Sequence, residues 1–198
     1  EGLGRWLRRA REHGEPIRAL LLLCRTAPMD DGRMGLALHA QPGSRTAALV
    51  PAEDLARALA PHADMVRMVV LSTICDDPPP PAAWRGLGPA AAIHQAGIPA
   101  VVGARMPLSR SGSAQALGAI TGALVSGSGG AQTALAAARA ALSEPEDARD
   151  QAALCLLADD THAGLRPLLR RPWPGLAPYS APLAGVFCGR DEELDALH

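Results

Sequence analysis

Residues 66–77, VRMVVLSTICDD, form the stretch that decides the fold of this chain. Its centre, VVL, is a short apolar run of the kind that is buried on both faces of a largely parallel sheet. Four prolines follow at 78–81, and because proline cannot extend a strand, we expect the chain to leave the sheet near Cys75. Open α/β sheets carry their chemistry at the carboxyl ends of such strands, so Cys75 is the first residue to consider for function.

The segments around this strand alternate between extended and helical patterns. Strand-like runs lie at 17–24, 34–40, 46–50 and 98–105, helical patterns lie at 4–13, 51–60, 88–97, 113–126 and 131–142, and residues 152–158 fit a final strand or a short helix. Strands that alternate with helices are typical of a sheet with crossover connections. The sequence therefore predicts an α/β fold in which a mostly parallel sheet is flanked by helices, with a small β-hairpin insertion at 34–50.

The composition argues against several classes of function. A formal net charge of -1 disfavours nucleic acid and anionic membranes as partners, and no apolar run reaches the length of a transmembrane helix. The four cysteines are far apart and form no CxxC pair, which indicates reduced thiols and argues against a zinc site or a disulfide framework. With no pattern typical of a signal peptide, we predict a cytoplasmic protein that holds no metal and no cofactor.

Two blocks of sequence carry a resemblance to a known family. The block RMVVLSTICDD at 67–77 is similar to the VVLSAC strand of CHAT domains, a family of caspase-like cysteine peptidases. The block AAIHQAGIPAVVGARMPLS at 91–109 is similar to the G-x-P-A-V-V-x-x-x-x-P motif of the same family. The resemblance spans roughly residues 4–160 and implies a caspase-like fold.

The family resemblance also implies a catalytic histidine after one strand and a catalytic cysteine after the next. In LLLLCRTA, residues 20–27, Arg25 stands where the family has its histidine, and in LSTIC the residue on the nucleophile position is Ile74, with Cys75 one residue beyond. Arginine cannot accept a proton at physiological pH, and one step along a strand turns a side chain to the opposite face. The resemblance therefore implies a degenerate catalytic site at Arg25 and Ile74.

Several alternatives stay open at this point. Cys75 is the nucleophile if the domain is an active endopeptidase, and His39 in the hairpin is then the first choice for the missing base. Asp76 and Asp77 are cleft residues that pair with Arg25 or bind a cation or basic peptide side chains, or else they simply form a turn.

The resemblance divides the chain into three parts. Residues 1–165 correspond to the CHAT-like domain, although the resemblance leaves open whether its first strands are included, and residues 166–184 form a proline-rich linker. Residues 185–198 contain VFCGRDEELDAL, which is similar to the F-x-G-R-x-x-E-L opening of a STAND-type NTPase module. We therefore predict a catalytically inactive domain that serves a larger signalling protein as an interaction or regulatory module, with a protein or peptide and the NTPase module as partners. The alternatives are an active caspase-like cysteine endopeptidase and a purely structural domain.

Overall fold

A computed structural model describes residues 2–14, 17, 19–31, 34–39, 47–75, 88–126 and 130–158 of the chain. In chain order its elements are α1 (Gly2–Glu12), β1 (Leu20–Pro28), β2 (Met34–His39), β3 (Ala47–Val50), α2 (Ala52–Leu59), β4 (Val69–Ile74), α3 (Pro89–Gln95), β5 (Ala100–Ala104), α4 (Arg110–Val125), α5 (Ala131–Ala141), α6 (Ala148–Ala153) and β6 (Leu154–Ala158). Single 3₁₀ turns lie at Ala60–His62, after α2, and at Pro145–Asp147, before α6.

The strands form one six-stranded sheet in the order β3-β2-β1-β4-β5-β6. The three central strands β1, β4 and β5 run parallel, as expected for strands joined through helices. The hairpin strands β2 and β3 pair antiparallel, and β6 is antiparallel to β5. The α/β class with flanking helices is confirmed, but the sheet is mixed rather than mostly parallel, because the short links after β1 and β2 allow only antiparallel pairing.

Local sequence signals explain where the helices begin and end. Pro51 precedes α2, and Glu53 and Asp54 lie in its first turn, where negative charge is favourable to the helix dipole. Helix α3 begins with Pro89, and the chain after it turns at Gly97, whose φ of 98° suits glycine. These signals set the limits of α2 and α3, and both helices pack on the same side of the sheet as α1.

The sheet separates two apolar cores. Helices α1, α2 and α3 cover one side and form the first core, whereas α4 and α5 cover the other side and form the second core. Strand β4 contributes to both, because Val69 and Leu71 face the first core and Val70 faces the second. The second core is rich in alanine, which lets α4 and α5 pack closely without aromatic side chains.

Most of the predicted elements are present, with shifted boundaries. The first strand was expected at 17–24 but runs from Leu20 to Pro28, and Ile17 makes only an isolated bridge to Val66. The two interpretations of residues 152–158 both hold in part, since α6 ends at Ala153 and β6 begins at the next residue. Within the described residues, no helix is both long enough and apolar enough to cross a membrane.

Some predicted features lie outside the described residues. These are Asp76, Asp77, Cys188, the predicted linker at 166–184 and the predicted NTPase segment at 185–198.

Candidate functional site

The carboxyl ends of the parallel strands β1, β4 and β5 meet at one edge of the sheet. In the β1–β4 ladder, Arg25 is the direct Cα partner of Ile74. Partners in a ladder point to the same face of a sheet, so the two side chains lie next to each other on the side that carries α4 and α5. The fold therefore brings together two residues that are 49 positions apart, calculated as 74 − 25.

Two further contacts fix this edge. Thr26 donates a hydrogen bond from its hydroxyl to the carbonyl oxygen of Ile74, at 3.2 Å. The backbone N–H of Leu108 donates to the carbonyl of Thr73 at 2.8 Å, which attaches the segment after β5 to the end of β4. The ends of β1 and β4 are thus held together by side chain and backbone. Cys75 follows directly after β4 and is half-buried.

The predicted alternative base is not brought to this edge. His39 is the last residue of β2, and continuing the register of Arg25 with Ala37 by two residues places it beside Leu23. The backbones of His39 and Ile74 are then separated by two residues along the strand direction and by two strand spacings across the sheet. Together these offsets give a distance of about 12 Å. Cys75 is one residue further along the chain, so the backbone positions do not support a direct pair between His39 and Cys75.

The other described histidines lie toward the amino edge of the sheet. His13 and His62 precede β1 and β4, and His94 precedes β5. His94 is anchored there by a 2.9 Å contact between its Nδ1 and the carbonyl oxygen of Ile98. Within the described residues, no histidine follows the carboxyl end of a parallel strand, which is where a general base for Cys75 would be needed.

Two of the described cysteines are unsuited to nucleophilic chemistry. Cys24 points into the first core, and burial raises the pKa of its thiol to about 11. Burial also raises the pKa of the Cys155 thiol, against the opposing effect of Arg105 and Arg139. Because the thiolate is the reactive form, neither residue is a nucleophile at neutral pH. Cys75 is the remaining described cysteine, and it lies at the edge where the parallel strands end.

A polar cluster at the same edge was not predicted. Ser109 caps α4 by accepting a hydrogen bond from the backbone N–H of Gly112 at 2.9 Å. The buried carboxylate of Asp150 accepts from the Ser109 backbone N–H at 3.0 Å and from the Ser109 hydroxyl at 2.5 Å. We call these three residues the α4 clamp. Ser109 alone had a recognisable signal as a helix cap, but Asp150 lies 41 residues away in sequence.

The α4 clamp also occupies the start of α4 with a carboxylate from the chain itself. The amino terminus of a helix attracts anions, because its first N–H groups have no partner within the helix. Asp150 already supplies that negative charge, so the cluster has a structural role. Within the described part of the chain, no group of three metal-ligating side chains is arranged to hold a metal ion.

The comparisons with known proteins return no match among the family models, the curated proteins or the solved structures that were searched. The arrangement at the sheet edge is therefore interpreted from its chemistry. It combines a guanidinium, an aliphatic side chain and a thiol. Such a set can bind an apolar group, and these three described side chains include no proton acceptor for covalent catalysis.

Proposed function

We propose that this chain carries a caspase-like domain of the CHAT type that has lost its catalytic pair. It acts as a protein-interaction or regulatory module in a larger signalling protein, next to an NTPase module whose start we place at 185–198. The observation that carries the proposal is the pairing of Arg25 with Ile74 at the ends of neighbouring parallel strands. The family resemblance assigns a histidine and a cysteine to these two positions, which must be adjacent for catalysis.

The chemistry of the two residues explains the expected loss of activity. A cysteine peptidase needs a thiolate and a base that accepts its proton, and an arginine side chain stays protonated at physiological pH. Ile74 has no nucleophilic atom. Removing a general base typically lowers the rate by about 10² to 10⁴, and removing the nucleophile as well leaves little beyond binding.

The same edge is suited to binding a peptide. Arg25 is exposed and adds a planar cation to the rim, and Ile74 adds a partly buried aliphatic surface beside it. A guanidinium pairs well with a carboxylate, because its N–H donors match the two oxygens. The partner is expected to be a protein or peptide.

A direct test restores the two residues that the resemblance implies. Arg25→His and Ile74→Cys are introduced together in a Cys75→Ser background, so that the new thiol can be followed separately at the sheet edge. If positions 25 and 74 are the catalytic positions, the introduced imidazole lowers the pKa of the introduced thiol and raises its alkylation rate at pH 6 by about tenfold or more. The matched control combines Ile74→Cys with Leu23→His and Arg25→Gln, which puts the imidazole two residues further back on the same strand and removes the guanidinium from beside the thiol.

Equal alkylation rates of the introduced thiol in the test variant, which carries Arg25→His and Ile74→Cys, and in the control would contradict the proposed catalytic positions. The parent chain is tested in parallel on a peptide library, where we expect no cleavage. Cleavage that disappears in Cys75→Ser would instead establish an active cysteine endopeptidase and overturn the proposal.

A further inference from the structure

Helix α1 carries a basic outer face. One side of the helix packs into the first core, while Arg5, Arg8 and Arg9 are exposed. Trp6 lies among them and is 52% exposed. It is the only tryptophan, tyrosine or phenylalanine among the residues that the structure describes. We call Arg5, Trp6, Arg8 and Arg9 the α1 face.

Contacts with the rest of the fold set the orientation of this helix. Arg11 forms an ion pair with Asp64, and its guanidinium also donates to the carbonyl oxygen of Pro61 at 2.7 Å. Leu7 and Ala10 are buried in the first core. Because an α-helix turns by about 100° per residue, these two inward side chains place the arginines of the α1 face on the outer side.

The positive charge of the α1 face is not neutralised within the described part of the chain. There, Arg5, Arg8 and Arg9 form no ion pair, in contrast to Arg11. Arg5 precedes the other two by three and four residues, and like charges at these spacings repel each other on a helix. The first turn contains no acidic residue, although negative charge is favourable there. A negatively charged partner would relieve this repulsion.

We propose that the α1 face binds an acidic segment of a partner protein, with carboxylates against its arginines and an apolar side chain against Trp6. A guanidinium binds a carboxylate through two parallel hydrogen bonds. Tryptophan and arginine are also the residue types that often contribute most to binding at protein interfaces. The partner thus has both a charged and an apolar component.

Size and charge favour a short protein segment over nucleic acid or a membrane. Helix α1 has 11 residues. Its length is therefore about 16 Å, which matches about five residues of an extended peptide. The chain as a whole has a formal net charge of -1 and so exerts no long-range attraction on a polyanion or an anionic bilayer.

The α1 face is separate from the sheet edge of the proposed function. It lies on the side of the first core, whereas Arg25 and Ile74 lie on the side that carries α4 and α5. The inference uses exposed residues of α1 only. It therefore stands or falls independently of the catalytic positions.

Fluorescence anisotropy with the full chain tests the proposal. The probe is a fluorescein-labelled peptide of three Glu-Leu-Glu-Glu repeats, and a second peptide has glutamine in place of every glutamate. We expect the acidic peptide to bind and the neutral peptide not to bind. Because salt screens exposed charges, the affinity should fall by about fivefold or more between about 50 and 300 mM NaCl.

Variants locate the binding site. Arg8→Gln with Arg9→Gln removes two of the three cations and should weaken binding by about tenfold. Trp6→Ala removes the apolar contact and should weaken it by about threefold or more. The matched control Gln132→Glu with Thr133→Glu makes the same change in net charge at exposed positions in the first turn of α5, on the other side of the sheet. Its affinity should stay within about twofold of the parent affinity, and its added charges are favourable to the helix dipole.

Several results would overturn the proposal. These are no binding of the acidic peptide by the parent chain, equal binding of the two peptides, and equal affinities of the parent and the Arg8→Gln, Arg9→Gln variant. The peptide comparison uses only the parent chain, so it remains valid if a variant disturbs folding. Binding of duplex DNA or of phosphatidylserine vesicles in place of the acidic peptide would also overturn it. So would a dimer in sedimentation velocity that the double variant dissociates, because a second copy would then occupy the α1 face.

Discussion

Replacing Asp150 by alanine tests whether the α4 clamp stabilises the fold. The Asp150 carboxylate is buried and receives two hydrogen bonds from Ser109, one from its backbone and one from its hydroxyl. It also lies at the amino terminus of α4, where a negative charge is favourable. Gly112 is part of the same arrangement, because a Cβ added there would lie 2.0 Å from Oδ2 of Asp150.

The expected size of the effect follows from these contacts. Hydrogen bonds to a charged group contribute about 1.5–3 kcal/mol each, but Ser109 is exposed, so water can replace part of what is lost. We therefore expect Asp150→Ala to lower the free energy of unfolding by about 2–3 kcal/mol. Gly112→Ala should cost about as much or more, because the added methyl group forces the carboxylate out of place.

The two changes together give a sharper result. Without the carboxylate the closest remaining contact of a Cβ at position 112 is Oγ of Ser109, at 3.0 Å, and alanine is a better helix former than glycine by about 0.5–1 kcal/mol. Gly112→Ala should thus destabilise the parent chain by more than it destabilises the Asp150→Ala variant. Urea unfolding of the four proteins, followed by circular dichroism, measures this double-mutant cycle.

Additive costs in this cycle would refute the reasoning, and so would a loss below about 0.5 kcal/mol for Asp150→Ala. The control is Asp54→Ala, which removes an exposed carboxylate paired with Arg57 at 2.7 Å. Surface pairs of this kind contribute about 0.2–1 kcal/mol, so the control should have a small effect.

Two further predictions concern buried polar groups. Burial lowers the pKa of His62 below its ordinary value of 6.5, so the unfolded chain binds that proton more tightly and stability should fall as the pH drops below 6.5. The loss between pH 7.5 and 5.5 in urea unfolding should be smaller for His62→Gln, and an equal loss would contradict this. Ser72 and Ser113 share a buried hydrogen bond of 2.7 Å, so Ser113→Ala should cost about 1–3 kcal/mol by leaving one hydroxyl unpaired. The double variant Ser72→Ala, Ser113→Ala should recover part of that cost in thermal unfolding. A double variant no more stable than Ser113→Ala would show that the hydrogen bond contributes nothing.

Local patterns were sufficient to predict most of the elements. The apolar run at 69–71 forms a buried strand, and the proline and glycine signals mark the limits of α2 and α3. The hairpin at β2 and β3 was also expected from its alternating pattern. These features depend on neighbours within a few residues, so a sequence contains the information directly.

The pairing of distant segments was harder to predict from the sequence. The limits of β1 were shifted, and the antiparallel position of β6 was not predicted, because both depend on which strands lie alongside. Asp150 was missed for the same reason, since nothing near it in the sequence indicates that it contacts Ser109.

The sequence by itself determined the α/β class, the order of helices and strands from α1 to α5, and the absence of a histidine at position 25. Only the tertiary structure decided that Arg25 pairs with Ile74, that Asp150 closes the start of α4, and that three leucines of β1 and β3 face outward on an otherwise packed sheet. The physical reason is the range of the interactions. Helix and turn preferences act within a few residues, whereas strand register and core packing result from contacts between segments far apart in the chain.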